Sequence, residues 1–233
     1  MTKCTVPVAK INELRQRAGK AAKVPRDVPE GWSKAEIDPR AVVKAFKALR
    51  LKPGYLLRAY QFHQGGNGNG VVWAMPVDAD FPDPDKCPWL TGRFLSPPRP
   101  PSALDNFMDA IDGDGTPLSY VSASILMREL HEFGAIWHGS SWGTHYIFGA
   151  DPWAGVKPVI TDPANAWKWN EPKPGSWRPH VLSGDGLNTV VFFTYTGLEQ
   201  ARITRHTDTF KPGSYAPTTQ TATLATGPGG YIH

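Results

Sequence analysis

The sequence predicts an α+β fold, in which a mainly antiparallel sheet packs with two or three helices and long Pro/Gly/Trp-rich loops connect the elements. Short runs of β-branched and aromatic residues recur along the chain, separated by turn residues. Fewer segments place apolar residues at helical spacing. The 23 Gly and 23 Pro together make up about a fifth of the 233 residues, above their usual share, which indicates many turns.

The N-terminal segment differs from the rest of the chain in charge. Residues 1–52 hold 13 Lys/Arg and 5 Asp/Glu, a balance of +8, whereas residues 53–233 hold 12 and 16, a balance of −4. We therefore predict a basic arm or linker at residues 1–33 and a single globular domain at residues 34–233. Since such a basic segment can engage an anionic partner or pack on an acidic body, an anionic partner for residues 1–52 is one hypothesis.

Composition also limits the cellular setting. No run approaches the roughly 20 apolar residues that a membrane-spanning helix requires. The first residues show no apolar signal core, and Cys4 and Cys87 are far apart without a CxxC spacing. We therefore expect a soluble, cytoplasmic protein with no membrane partner and no disulfide framework.

Three helices are predicted ahead of the central stretch of the chain. Residues 9–23 form a basic helix with a thin apolar stripe. Asp38-Pro39 begins a second helix, because Asp is a favoured cap and Pro is favoured at the first helical position. A short third helix is expected to begin near Ser102, which would cap an apolar stripe over residues 104–111.

Strands are predicted on both sides of the centre of the chain. Residues 55–62 and 71–75 are rich in aromatic and β-branched residues, and the polar, Gly-rich HQGGNGNG segment between them predicts a hairpin. Residues 188–196 predict a central strand with an antiparallel partner at 200–210. The tail is expected to form an edge strand or a wrap, and the tryptophans of the long 149–186 segment are expected to be buried.

The central stretch, residues 121–148, has the clearest apolar rhythm. Its apolar residues lie at helical spacing, at Val121, Ile125, Leu126, Leu130 and Phe133. Ser119 or Ser122 is predicted to cap this helix, and Gly134 to end it in the left-handed conformation. Residues 135–148 then predict a hairpin around the GSSWG loop.

A polar-aromatic cleft near this hairpin is the main functional hypothesis, with a small polar molecule as its ligand. Its candidate ligand-binding residues are His131, His138, Ser141, Trp142 and His145. Trp137 is expected to be buried in a strand and Trp142 to be partly exposed in the loop. The histidines are spaced by seven, but Gly134 interrupts any continuous helix, so no metal site is predicted.

Two enzyme patterns are weighed beside this cleft. Ser141 satisfies the G-x-S-x-G motif of α/β-hydrolases, but no helix is predicted after it and the alternating β/α pattern is missing. Arg58, Ser122-Ala123-Ser124 ahead of the predicted helix, and Glu199 after a strand occur in the order Arg, Ser-x-Ser, Glu.

This order resembles the pattern of NAD-using ADP-ribosyltransferases and covers three short patches. The resemblance implies that Arg58 holds the phosphates of the cofactor and that Glu199 assists transfer at the ribose. The sequence departs from the pattern at Gly197, where the family has Glu or Gln. An NAD-dependent transferase, with Arg58 and Glu199 as candidate catalytic residues beside Ser122/Ser124, is therefore one alternative function. A module that binds an anionic partner is the other.

Overall fold

The computed structural model describes residues 1–22, 29–136 and 140–231. These residues contain three α-helices: α1 (Val8–Ala21), α2 (Pro39–Lys44) and α3 (Pro117–His131). They also contain twelve strands: β1 (Thr2–Thr5), β2 (Gly31–Lys34), β3 (Leu49–Leu51), β4 (Tyr55–Gln64), β5 (Asn67–Pro76), β6 (Ile111–Gly113), β7 (Tyr146–Ile147), β8 (Lys168–Trp169), β9 (His180–Gly184), β10 (Leu187–Thr196), β11 (Arg202–Phe210) and β12 (Thr218–Thr226). Every pairing between these strands is antiparallel, which confirms the predicted α+β class.

The described chain divides into two compact units. The first unit comprises Met1–Glu13, Gly143–Gly213 and Pro217–His233, and the second comprises Leu14–Trp142 and Ser214–Ala216. The domain boundary expected between residues 33 and 34 stays a prediction.

The N-terminal residues, expected to form a basic arm or linker, contain regular structure. Strand β1 pairs with β9, and α1 follows it after two residues. The apolar stripe of α1 is thin but fully buried, since Ile11, Leu14 and Ala18 are each at most 2% exposed. Removing residues 1–22 would therefore expose apolar surface, unlike the removal of a solvated tail.

The first unit is built on one large sheet with the strand order β1-β9-β10-β11-β12-β8. Strand β10 lies in the interior of this sheet, as its continuous apolar character predicted. It pairs with β9 over its first half, with β7 at Thr194–Tyr195, and with β11 along its whole length. The tail forms β12, which pairs with β11 along its length and with β8 only at Ala225 and Thr226, so most of β12 lies at the edge of the sheet, as expected.

The two faces of β10 and β11 have different chemistry. Phe193 and Ile203 lie on one face and pack in a cluster with Trp167 and Trp177, which are both 5% exposed. Trp153 and Trp169 are partly buried and pack against the same cluster, so full burial is confirmed for Trp167 and Trp177 only. Because neighbouring residues of a strand point to opposite faces, Thr194 and His206 lie on the other face.

The second unit contains the sheet β2-β4-β5 and the strand pair β3-β6. Strands β4 and β5 form the predicted hairpin, with Gln64 opposite Asn67. Gly65 and Gly66 both have positive φ, the conformation that a tight two-residue turn requires. The strands are longer than predicted because the NGNG segment continues β5, although it lacks apolar alternation. Helix α2 begins as predicted, with the Asp38 side chain accepting a hydrogen bond from the Arg40 backbone N–H.

Helix α3 begins earlier than the apolar pattern indicates. Thr116 caps it and Pro117 occupies the first turn, so neither Ser119 nor Ser122 is the cap. The stripe that predicted the helix starts only at Val121, whereas a cap and a proline determine its true start. Gly134 has φ 72° and ends the helical region as expected. Within the described ranges, no helix is both long enough and apolar enough to cross a bilayer.

Two predicted elements are wrong. Residues 104–111 form only a one-turn 3-10 helix at Phe107–Ala110, which is capped by Asn106 and leads into β6. The two described ends of the predicted 135–148 hairpin pair elsewhere: Ile136 bridges Gly68, and β7 pairs with β10. Long-range pairing partners therefore override the local hairpin signal, which rested on two short strand-like segments around the GSSWG turn.

Candidate functional site

The predicted ligand-binding residues are divided between the two units. His131 is the last residue of α3, and Ser141 and Trp142 follow in the same second unit. His145 belongs to the first unit. His138 lies outside the described residues, as does Trp137.

Trp142 is a buried residue, and its predicted exposure is wrong. Its side chain is 7% exposed, and its indole N–H donates to Glu129 Oε1 over 2.9 Å. The Arg15 guanidinium carbon lies 4.5 Å from the ring centroid, and that of Arg128 lies 5.6 Å away. Since a buried indole needs a partner for its N–H, Glu129 explains how the ring is accommodated. The sequence of the loop does not indicate that Glu129 and Arg15 are the partners of this ring.

The loop before Trp142 is held by Glu132. This carboxylate accepts hydrogen bonds from the backbone N–H groups of Ser141, at 2.9 Å, and of Trp142. After Ser141 the chain forms a one-turn 3-10 helix at Trp142–Thr144 and then β7. The long helix of a hydrolase-type nucleophile elbow is therefore not formed at Ser141, in agreement with the sequence.

His145 belongs to a hydrogen-bonded array on the polar face of β10 and β11. Its Nδ1 lies 2.9 Å from Thr194 Oγ1, and the same hydroxyl oxygen lies 2.9 Å from His206 Nε2. Thr194 is completely buried and His206 is 5% exposed, whereas His145 is only partly buried. The array therefore runs from a partly exposed imidazole, through one hydroxyl, to a buried imidazole.

A single hydroxyl proton links the two rings. The Thr194 hydroxyl can donate to only one ring nitrogen, while its oxygen can accept from the other. When both imidazoles are neutral, at least one ring must therefore donate an N–H to Thr194, and the Thr194 proton is used within the array only when the other ring accepts it. In that arrangement the tautomer of His145 and that of His206 are complementary.

Further polar side chains occupy the same buried face of the sheet. Asp208 is fully buried two residues beyond His206, and Thr196 is 1% exposed. The Thr196 hydroxyl lies 2.7 Å from that of Thr144 and accepts from the Leu198 backbone N–H at 3.1 Å. The Phe192 ring stacks on the His206 ring with centroids 4.7 Å apart. This concentration of buried polar groups makes the face the best candidate site in the first unit.

A pattern of alternating polar residues in the sequence marks this face of the sheet. Threonine occupies alternate positions near the end of β10, at Thr194 and Thr196. In β11, Thr204, His206 and Asp208 also alternate, and alternate residues of a strand share a face. Pairing these two stripes would have placed His206 beside Thr194. What the sequence could not supply was the pairing of β7 with β10, which brings His145 to the array.

Arg58, a candidate catalytic residue, is exposed on β4 beside a groove of about 230 Å³. Its guanidinium carbon lies 6.0 Å from the Phe81 ring centroid, and Lys34 Nζ lies 5.6 Å from the same centroid. Lys34 also pairs with Asp83, and the ammonium groups of Lys34 and Lys86 hold the pKa of Asp83 below its usual value. In the described ranges no carboxylate pairs with Arg58, although Glu36 and Asp38 also line the groove.

The other residues of the transferase-like order lie in different surroundings. Ser122 and Ser124 are buried inside α3, so their expected position ahead of the helix is wrong. Glu199 is an exposed turn residue of the first unit, with a left-handed φ of 60°, whereas Arg58 and both serines belong to the second unit. The early start of α3 at Pro117 is the reason that the serines became helical.

The cations of residues 1–52 are partly neutralised. In addition to Lys34, four cations of this range form ion pairs: Lys10 with Glu13, Arg15 with Glu129, Arg40 with Asp38, and Arg50 with Asp112. Among the described residues, no three His, Cys, Asp or Glu side chains are grouped as a metal site. Comparison with protein-family models, with curated proteins and with solved structures gives no match to this chain.

Proposed function

We propose that the chain binds a small polar ligand beside His145 and that the His145–Thr194–His206 array exchanges a proton with that ligand. The observation that supports this proposal is the position of one threonine hydroxyl 2.9 Å from a ring nitrogen of each histidine. His145 is the more exposed end, so a ligand reaches the array there.

The proton movement balances along the array. When His145 gains a proton at Nε2, its Nδ1–H passes to the Thr194 oxygen, and the Thr194 proton passes to His206 Nε2. His145 and Thr194 then each hold the same number of protons as before, and His206 holds one more. An imidazole is suited to this role because its ordinary pKa lies close to neutral pH.

Replacing Thr194 with valine tests the proposal. Valine keeps the shape of the side chain but removes the hydroxyl, so the ring nitrogens of the partly buried His145 and the buried His206 lose their common partner. We expect the variant to lose about 1–3 kcal/mol of stability and to lose the ligand response. The assay is the melting temperature of the full chain in the presence of amino acids, hydroxy acids, nucleosides and polyols.

Thr207→Val is the matched control, because Thr207 lies on the same strand as His206 and points to the opposite face. We expect at least one compound to raise the melting temperature of the wild type and of Thr207→Val, but not of Thr194→Val or His145→Gln. An equal rise in all four proteins would contradict a site at this array.

A second candidate function is supported by Arg58. We infer that Arg58, in the groove beside the ion-paired Lys34, is the contact for an anionic partner. The support is the pairing of these two cations with the Phe81 ring and the absence, in the described ranges, of a carboxylate against Arg58.

Arg58→Gln should weaken the binding of a single-stranded oligothymidine and lower the slope of log affinity against log salt by roughly one unit. Arg178→Gln, the same substitution at an exposed arginine of the first unit, should leave the slope unchanged. Fluorescence anisotropy measures the affinity at each salt concentration. If the slope of log affinity against log salt is the same for Arg58→Gln and the wild type, the anionic-partner function is excluded.

A further inference from the structure

A second groove in the second unit lies at the end of the β4–β5 hairpin. Phe62 lies opposite Asn69 and Gln64 lies opposite Asn67 in the strand register. Directly opposite residues share a face, and so do alternate residues of one strand, so these four side chains form one patch. They line a groove of about 220 Å³ together with residues of the loop that contains Phe94 and Leu95.

The loop beside this patch is held in a strained conformation. Leu95 and Ser96 have φ values of 58° and 43°, in the left-handed region that non-glycine residues rarely adopt. The Trp32 indole N–H donates to the Leu95 carbonyl at 3.3 Å, and Ser96 N–H donates to the Arg93 carbonyl at 2.9 Å. Strain of this kind persists only where the surrounding contacts enforce it, and it concentrates at functional sites.

The same loop also carries an aromatic ring that lies in solvent. The Phe94 side chain is 75% exposed, although it lines the groove. Phe62 is partly exposed in the same groove, and its ring lies 5.4 Å from that of Trp32. The groove therefore presents aromatic surfaces from two sides, and amide side chains from the hairpin.

The lining determines the chemistry of the ligand. The described residues that line the groove include no charged side chain. Amides both donate and accept hydrogen bonds, which suits neighbouring hydroxyl groups, and the faces of aromatic rings are electron-rich and suit C–H groups. A purely apolar ligand would offer no hydrogen-bonding group to the exposed Gln64 amide in the groove. A nucleic acid strand would require cations for its phosphates.

We propose that this groove binds a neutral oligosaccharide, with a sugar ring on Phe94 and its hydroxyl groups on the amides of Gln64 and Asn67. The site lies in the second unit and does not involve the histidine array. Because the groove is open and smaller than typical drug-sized pockets of about 300 Å³ or more, the dissociation constant should be on the order of 1 mM.

The test is a titration of the full chain with maltotetraose, cellotetraose, chitotetraose and mannotetraose, followed by ¹H–¹⁵N NMR. We expect saturable shifts of the Gln64 and Asn67 side-chain amide signals with at least one of these sugars. Phe94→Ala should raise the dissociation constant about tenfold, because it removes the exposed ring. Since Phe94 is 75% exposed, the variant should keep the wild-type melting temperature.

Trp89→Ala is the matched control, because Trp89 is an exposed aromatic residue of the same region that does not line the groove. Gln64→Ala is the second variant and should also weaken binding. The proposal is overturned if none of the four sugars shifts these amides. It is also overturned if Phe94→Ala and Gln64→Ala both bind the sugar with the affinity of the wild type. A third contradicting result is that oligothymidine, and none of the sugars, shifts the side-chain amide signals.

Discussion

Replacing Trp142 with alanine should destabilise the protein by about 3–5 kcal/mol, the usual range for a buried large aromatic residue. The ring is 7% exposed, and the guanidinium groups of Arg15 and Arg128 lie over it. Its indole N–H donates a hydrogen bond to the Glu129 carboxylate. Truncation leaves a cavity and removes one donor from a largely buried carboxylate. For a chain of this size the melting temperature should fall by about 6–20 °C, which differential scanning calorimetry measures.

Two variants separate the causes of this effect. Trp89→Ala removes a tryptophan that is 46% exposed and should lower stability much less. Trp142→Phe keeps most of the ring but loses the N–H donor, so its destabilisation should lie between the two. If Trp142→Ala melts no lower than Trp89→Ala, the described packing around Glu129 and Arg15 is incorrect.

Gly70→Ala is the second substitution with a large expected effect. A Cβ at residue 70 would lie 2.3 Å from the Phe133 carbonyl oxygen and 3.1 Å from that of Tyr60. Both neighbours are backbone atoms, so no side-chain rotation relieves the contact. Strand β5 must move away from residue 133, and we expect a loss of about 3 kcal/mol or more in the free energy of unfolding. Urea denaturation of the variant measures it.

Gly19→Ala provides the matched control for this substitution. Gly19 lies in α1 with no atom within 4 Å of a Cβ, so alanine should raise stability by up to about 1 kcal/mol through helix propensity. The same chemical change should therefore have opposite signs at the two positions. If Gly70→Ala unfolds at the same urea concentration as the wild type, β5 does not approach residue 133 so closely.

The parts of the fold that the sequence predicted are those specified locally. The Asp38-Pro39 cap fixed the start of α2, and the double glycine of the β4–β5 turn fixed that hairpin. The 135–148 hairpin failed because its strand segments are short and their true partners, Gly68 and Thr194, are distant in sequence. No local pattern encodes such a choice between partners.

The candidate site was predicted only in part. His145 was selected from its neighbours along the chain, and it does lie in a polar array. Thr194 was assigned to a central strand for its apolar neighbours, so its hydroxyl was not considered. Trp142 was expected at the surface because glycine and serine surround it, whereas Glu129 and Arg15 make its burial possible. The sequence could not reveal which polar side chains, far apart along the chain, become hydrogen-bond partners.

The most direct test of the histidine array is the titration of both imidazoles by long-range ¹H–¹⁵N NMR, with His145→Gln used for assignment. The shared Thr194 proton predicts complementary tautomers at high pH, and titration curves for His145 and His206 that each show the step of the other ring. Thr194→Val should convert these curves to independent single steps. Single, independent steps in the wild type that Thr194→Val leaves unchanged would contradict a coupled array.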